Sequence, residues 1–135
     1  MSRIEAIATS DYSLTTVLSA ADIENNTGNF IGSSVIVSET KGYFVANETF
    51  FSPKYYELST VYSFNPTTGA IASEKIADTG TEYISYIALD AANFLWLSVS
   101  NPLDPGVDVI NTETNAKALP RLATELNPSA IAFIE

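Results

Sequence analysis

The chain has 135 residues, with sixteen Asp and Glu against six Lys and Arg, and it contains neither cysteine nor histidine. Disulfides, thiolate nucleophiles, Ser-His-Asp chemistry and His-ligated zinc are therefore excluded for this chain. The net charge of −10 repels phosphate backbones and anionic lipid surfaces, so neither nucleic acid nor membrane insertion is expected.

Seven Tyr, seven Phe and one Trp, with many Thr, Ser, Ile and Val, are strand formers and suffice for a core. Met1-Ser2-Arg3-Ile4 carries no apolar signal core, and no window approaches the roughly 20 apolar residues of a spanning helix. No stretch keeps a 3.6-residue apolar period over ten or more positions; short alternating runs dominate instead. They predict strands at Ile4–Thr9, Leu14–Ser19, Ser34–Ser38, Tyr43–Asn47, Thr60–Phe64, Ala70–Ile76, Ile84–Asp90, Phe94–Ser98, Val107–Asn111, Lys117–Leu122 and Ser129–Ile134. Turn chemistry separates them: Thr40-Lys41-Gly42, Asn65-Pro66-Thr67-Thr68-Gly69, and Asn101-Pro102 through Asp104-Pro105-Gly106. Pro fixes φ and Gly supplies φ > 0 at these breaks.

The strands recur. Val61–Ala70 aligns with Val107–Ala116 at an offset of 46, and Val37–Val45 aligns with Leu89–Leu97 at 52. Ile4–Ile7 followed by Leu14 repeats Val61–Phe64 followed by Ile71, and Ile131–Phe133 repeats Ile87–Leu89. A period in the forties with about four strands per unit is a propeller-blade pattern. Labelled A to D from the channel outward, the strands run C-D over 1–20, A-B-C-D over 34–76, A-B-C-D over 84–122, and a single A strand over 129–135. The predicted class is all-β, with four-stranded antiparallel blades of an incomplete propeller. A β-sandwich is the alternative, because short strands with turns every roughly 8 to 12 residues fit it too.

In register, the units resemble YVTN-type and related NHL or SMP-30-like propeller repeats. The pieces that carry the resemblance are Ile87-Ala88-Leu89-Asp90, Asn93–Leu97 and Gly106–Thr114, and in the earlier unit Gly42–Asn47 and Thr60–Gly69. The resemblance implies the blade architecture and says little about activity, since such families include surface proteins, lactonase-like enzymes and binding scaffolds. Lactonase-like members hold a divalent metal with Glu, Asn and Asp at the channel mouth. Asn101 and Asp104 are the residues here that invite comparison, but the pattern around them departs from that set and no catalytic residue is carried over.

Loop lengths point to one face. The A–B turns (Glu39–Gly42, Asp90–Asn93) and C–D turns (Asn65–Gly69, Asn111–Asn115) are short, whereas the D–A loops (Ala20–Ser33, Ala77–Tyr83, Ala123–Pro128) and B–C loops (Glu48–Ser59, Ser100–Gly106) are long. Long loops concentrate function. That face collects Asp22, Glu24, Glu48, Glu57, Asp78, Glu82, Asp104 and Glu125, with Lys54 its one cation; Lys75, Lys117 and Arg121 fall on outer strands. The expected ligand-binding face is Glu48, Phe50, Phe51, Tyr55, Tyr56, Asn101 and Asp104. Aromatic rings beside carboxylates suit a cation, a sugar or a basic partner.

No cofactor is expected. The carboxylates and Asn carbonyls are hard-oxygen ligands that admit calcium or another divalent metal, but no stretch has calcium-loop spacing. Trp96 reads as core, Asn25-Asn26-Thr27 and Asn47-Glu48-Thr49 match the glycosylation sequon, and carboxylates such as Asp104 and Asp108 are of the type that does acid–base work, although nothing in the sequence places them in one pocket. The expected function is a non-catalytic binding or scaffold module of a larger extracytoplasmic or cell-surface propeller protein. The alternatives are part of a metal-dependent lactonase-like hydrolase, or a self-assembling module. The expected partner is the remaining blades of a longer chain, or a second copy that closes a six-bladed ring.

Overall fold

The computed structural model describes residues 3–27, 30–76 and 78–134, without the side chains of Asn25, Asn26 and Phe30. The side chains of Asn25 and Asn26 in the first sequon, and the parts of the expected 1–20, 20–33, 77–83 and 129–135 segments at Met1, Ser2, Gly28, Asn29, Ala77 and Glu135, lie outside the described part of the structure. The elements are β1 (Ile4–Ile7), β2 (Leu14–Leu18), α1 (Ala20–Thr27), β3 (Phe30–Ser38), β4 (Lys41–Phe50), β5 (Tyr56–Phe64), β6 (Ile71–Lys75), β7 (Tyr83–Leu89), β8 (Phe94–Ser100), β9 (Gly106–Asn111), β10 (Ala116–Lys117) and β11 (Leu122–Ala123). The fold is all-β, in three open antiparallel sheets. They are the β1-β2 hairpin, the meander β3-β4-β5-β6, and the meander β7-β8-β9-β10 with β11 also paired to β9.

Three turns have one geometry. Ala8 N–H donates to Ser13 O at 2.9 Å and Tyr12 N–H to Ala8 O at 2.8 Å; Asn65 N–H donates to Ala70 O and Gly69 N–H to Asn65 O, both at 2.8 Å; Asn115 N–H donates to Asn111 O at 2.8 Å. The fifth residue of each turn is left-handed: Tyr12 at φ 58°, Gly69 at 73° and Asn115 at 57°. Asn65 Oδ1 accepts the N–H groups of Thr67 and Thr68, and Asn111 Oδ1 accepts those of Glu113 and Thr114. A short Asx side chain folds the backbone back on itself, which is why Asn opens these turns.

The strand registers of the two meanders also coincide. Gly42↔Phe64, Phe44↔Tyr62 and Ala46↔Thr60 in one become Leu95↔Ile110, Leu97↔Asp108 and Val99↔Gly106 in the other. Ser34↔Phe44 and Ile31↔Ala46 become Ile87↔Leu97 and Ile84↔Val99, each with a register break in between. The offset is 46 for β5 to β9, but 53 rather than 52 for β3 and β4 to β7 and β8. The first meander has an extra residue at the Ile36/Ser38 irregularity and a two-residue turn. In the second, Asp90 N–H donates to Phe94 O and closes a turn of the three residues Ala91–Asn93, with Asn93 at φ 62°. Matching Phe44 to Trp96 by aromatic likeness is therefore one residue out; Tyr43 matches Trp96, and Phe44 matches Leu97.

That residue decides which face is which, because side chains alternate along a strand. Phe44, Ala46 and Phe64 pack with Leu18 and Ile23, against the β1-β2 hairpin and α1. Their equivalents Leu97, Val99 and Ile110 pack with Tyr43, Val45 and Val61 of the preceding meander. Each meander thus turns the same face toward the unit before it in the chain, and β7 lies against β3, β4 and β5.

Three sequence expectations change. The Ala20–Ser33 loop contains helix α1, started by a capping box: Asp22 N–H donates to Ser19 Oγ, while Ser19 N–H and Oγ donate to Asp22 Oδ2 at 2.9 and 2.6 Å. The outer strand Lys117–Leu122 is split into β10 and β11, since Pro120 between them has no N–H to pair. Ser129–Ile134 is not a strand. It crosses the outer face of the β7-β10 sheet, where no strand edge offers it a ladder. There Ser85 Oγ donates to Pro128 O at 2.6 Å and Phe133 sits edge-on to Trp96 at 5.5 Å. Among the described residues, no helix is long and apolar enough to cross a membrane.

Candidate functional site

The seven expected site residues separate into two groups. Glu48, Phe50, Phe51, Tyr55 and Tyr56 form the end of the β4-β5 hairpin. The expected Glu48–Ser59 loop is shorter than the sequence suggests: β4 runs to Phe50, β5 begins at Tyr56, and the ladder is unbroken from Gly42↔Phe64 to Phe50↔Tyr56. Cross-strand aromatic pairing extends it. Phe50 and Tyr56 stack at 4.5 Å with planes 7° apart, and Phe51 and Tyr55 meet edge to face at 5.8 Å across the tip. Phe51 is 78% exposed and Tyr55 64%. Glu48 is exposed on the same hairpin. The Glu57 carboxylate beside Tyr55 raises the phenol's pKa above its ordinary value.

Asn101 and Asp104 belong to a second group centred on Arg121. The guanidinium donates NH1 to Glu82 Oε1 at 3.0 Å, NH2 to Glu82 Oε2 at 2.5 Å, Nε to Asp108 Oδ1 at 3.0 Å and NH2 to Asp108 Oδ2 at 2.9 Å. NH1 also reaches the Asp104 carbonyl and carboxylate at 3.0 and 3.2 Å. Lys117 Nζ lies 3.1 Å from Asp108 Oδ2, and Asn101 Nδ2 donates to Glu82 Oε1 at 2.6 Å. Arg121 Nε, NH1 and NH2 all donate, as their planar fork permits. Asp104 and Asp108, which nothing in the sequence places in one pocket, both bond to the Arg121 guanidinium.

The charges follow this geometry. Hydrogen bonds from Arg121 hold Glu82 below the usual carboxylate range, with Asn101 adding to the effect. Burial works to raise the pKa of Asp108, but the bonds from Arg121 and Lys117 outweigh it and the net shift is downward. Glu82, then Asp108, raise the pKa of Arg121. The expected acidic face is corrected accordingly. Arg121 leaves from the outer strand but reaches back over this end, and Lys75 Nζ likewise donates to Thr79 O at 2.5 Å. Asp22 is engaged in capping α1.

Beside the Arg121 group lies a small cavity lined by Ser59, Thr79, Glu82, Leu97 and Asp108 among others. Ser59 Oγ donates to Asn47 Oδ1 at 2.6 Å and accepts Ile84 N–H at 2.8 Å. Asn47 is thus buried and hydrogen-bonded inside the sheet, and a Cβ on Gly32 would come within 2.4 Å of its amide. The Asn47 sequon is inaccessible in the folded chain. Trp96, expected as core, is half-buried, with Nε1 donating to Asp90 Oδ2 at 2.8 Å.

Among the described residues, no group of three or more His, Cys, Asp or Glu is arranged to hold a metal ion. Asn101 Oδ1 accepts Leu103 N–H at 2.9 Å while its amide serves Glu82, and the three nearby carboxylates face a guanidinium. Such a donor set does not fit a divalent cation. No family model matches the chain, and neither a curated protein nor a solved structure is significantly similar to it.

Proposed function

We propose that the chain is a non-catalytic binding module built from propeller-type units, and that it takes a basic polypeptide segment on the β4-β5 hairpin. The carrying observation is the hairpin tip, where Phe51 and Tyr55 stand in solvent just beyond the last pair of a continuous ladder. Exposed rings on an ordered hairpin cost hydration without contributing to the core, which favours a partner. Glu48 and Glu57 flank them, and the chain's charge of −10 attracts cations at long range. Arg and Lys side chains match rings flanked by carboxylates through cation–π contact.

The propeller-type reading is supported by the coincident registers and by the repeated use of one face toward the preceding unit. A sandwich made of two like sheets brings like faces together; here unlike faces meet.

Titration with an arginine-rich peptide tests the binding reading. Binding is expected to weaken with salt, and to fall about tenfold in F51A/Y55A, which changes no charge, since two cation–π contacts contribute about 0.5–1 kcal/mol each. Equal affinity of the double variant, or no binding by the parent chain, overturns it.

A further inference from the structure

We infer that two copies of this chain associate head to tail, the β1-β2 hairpin of one docking on the Trp96 face of the β7-β10 sheet of the other. The joint is one the chain already makes twice within itself. Ile7 is opposite Leu14 in β1-β2, as Phe64 is opposite Ile71 in β5-β6 and Ile110 opposite Lys117 in β9-β10. Phe64 and Ile110 are buried against the preceding unit, whereas Ile7 and Leu14 are 62% and 63% exposed.

The other end of the stack is the complement. Tyr43, Val45 and Val61 are fully buried under the following meander, and the Tyr43 hydroxyl crosses to it, donating to Asn115 Oδ1 at 2.6 Å. By register their equivalents are Trp96, Ser98 and Val107. Trp96 and Val107 are only half-buried, with Phe133 of the irregular terminal segment edge-on to Trp96. Ser98 Oγ is buried without a partner. One end therefore carries exposed apolar side chains, Ile7 at a position that docks in both meanders and Leu14 at one that docks, as Ile71, in the first, and the other a partly covered version of the face that receives them. A second copy supplies both. Such a contact is heterologous, and it closes a ring when the rotation allows.

Two copies at −10 each repel, so association through apolar faces strengthens with salt as the repulsion is screened. The inference rests on the stacking geometry and not on the hairpin tip, so F51A/Y55A is expected to leave assembly unchanged.

Sedimentation equilibrium over a concentration series tests it. The parent chain is expected to exceed monomer mass, more so at higher salt. I7E/L14E alone and W96E alone are expected to be monomers, and their equimolar mixture is expected to form a one-to-one dimer, since one intact pair of faces remains. V107E substitutes for W96E if circular dichroism finds the latter unfolded. A parent chain that stays monomeric, or folded single-face variants that fail to pair when mixed, overturns the inference.

Discussion

Tyr12 holds a left-handed backbone, φ 58°, with its ring 80% exposed. An L side chain there costs roughly 1–2 kcal/mol, and little packing compensates. Gly69 fills the equivalent position at φ 73°, where an added Cβ would come within 2.7 Å of Val17 O. The two sites give opposite expectations in a denaturant titration. Tyr12→Gly relieves strain at some cost in unfolded-chain entropy and is expected to stabilise by about 0.5 kcal/mol. Gly69→Ala adds both strain and a clash and is expected to destabilise by about 2 kcal/mol. The turn at Asn65 was readable from Asn-Pro and Gly, whereas the Tyr12 turn carries no glycine and was readable only as a likeness between the flanking strands. The Ser19-Ala20-Ala21-Asp22 cap was also present in the sequence as a helix signal, but one short helix among strands has too few periodic positions to register.

Among the elements, the split outer strand of the last meander depends on Arg121. Pro120 interrupts the ladder, and β10 and β11 retain two residues each. The guanidinium ties this edge to β7 through Glu82 and to β9 through Asp108, with side chains 13%, 23% and 5% exposed respectively. Removing one partner of such a buried set strands the others, so Arg121→Met is expected to cost about 3 kcal/mol at neutral pH. Both carboxylates have lowered pKa values in the folded state. Their contribution is therefore fully present above the unfolded carboxylate range near pH 4 and is lost as pH falls through the folded values. The difference between parent and variant is expected to shrink in acid, as measured by thermal melts from pH 7 to pH 2. A constant difference across that range would assign the loss to packing alone. None of this was legible in the sequence: Arg121 stands 39 residues from Glu82, and an outer-strand position says nothing about where a long side chain ends.

For the molecule as a whole, burial is uneven along the stack. The middle meander is covered on both sides, by the hairpin and α1 and by the last meander. By contrast, β1 is mostly exposed and β2 buries only Leu18 completely. Amide hydrogen exchange is expected to be slowest in β4, β5 and β8 and fastest in β1 and β2, because local opening follows the number of buried contacts that must break. Uniform protection would indicate a single cooperative unit. Composition and alternation alone determined that the chain is all-β and where nearly every strand lies, since those features depend on local propensity and on the identity of turn residues. They also marked the aromatic cluster, though as part of a long loop, and the recurrence of the units. Only the tertiary structure decided which face of each strand is inward, because a single-residue slip between Phe44 and Tyr43 as the match for Trp96 inverts every face while barely changing the likeness of the strings. It likewise decided that the acids near Arg121 are neutralised, that Asn47 is buried, and that Ser129–Ile134 has no ladder to join, since pairing and burial depend on what the rest of the chain brings alongside.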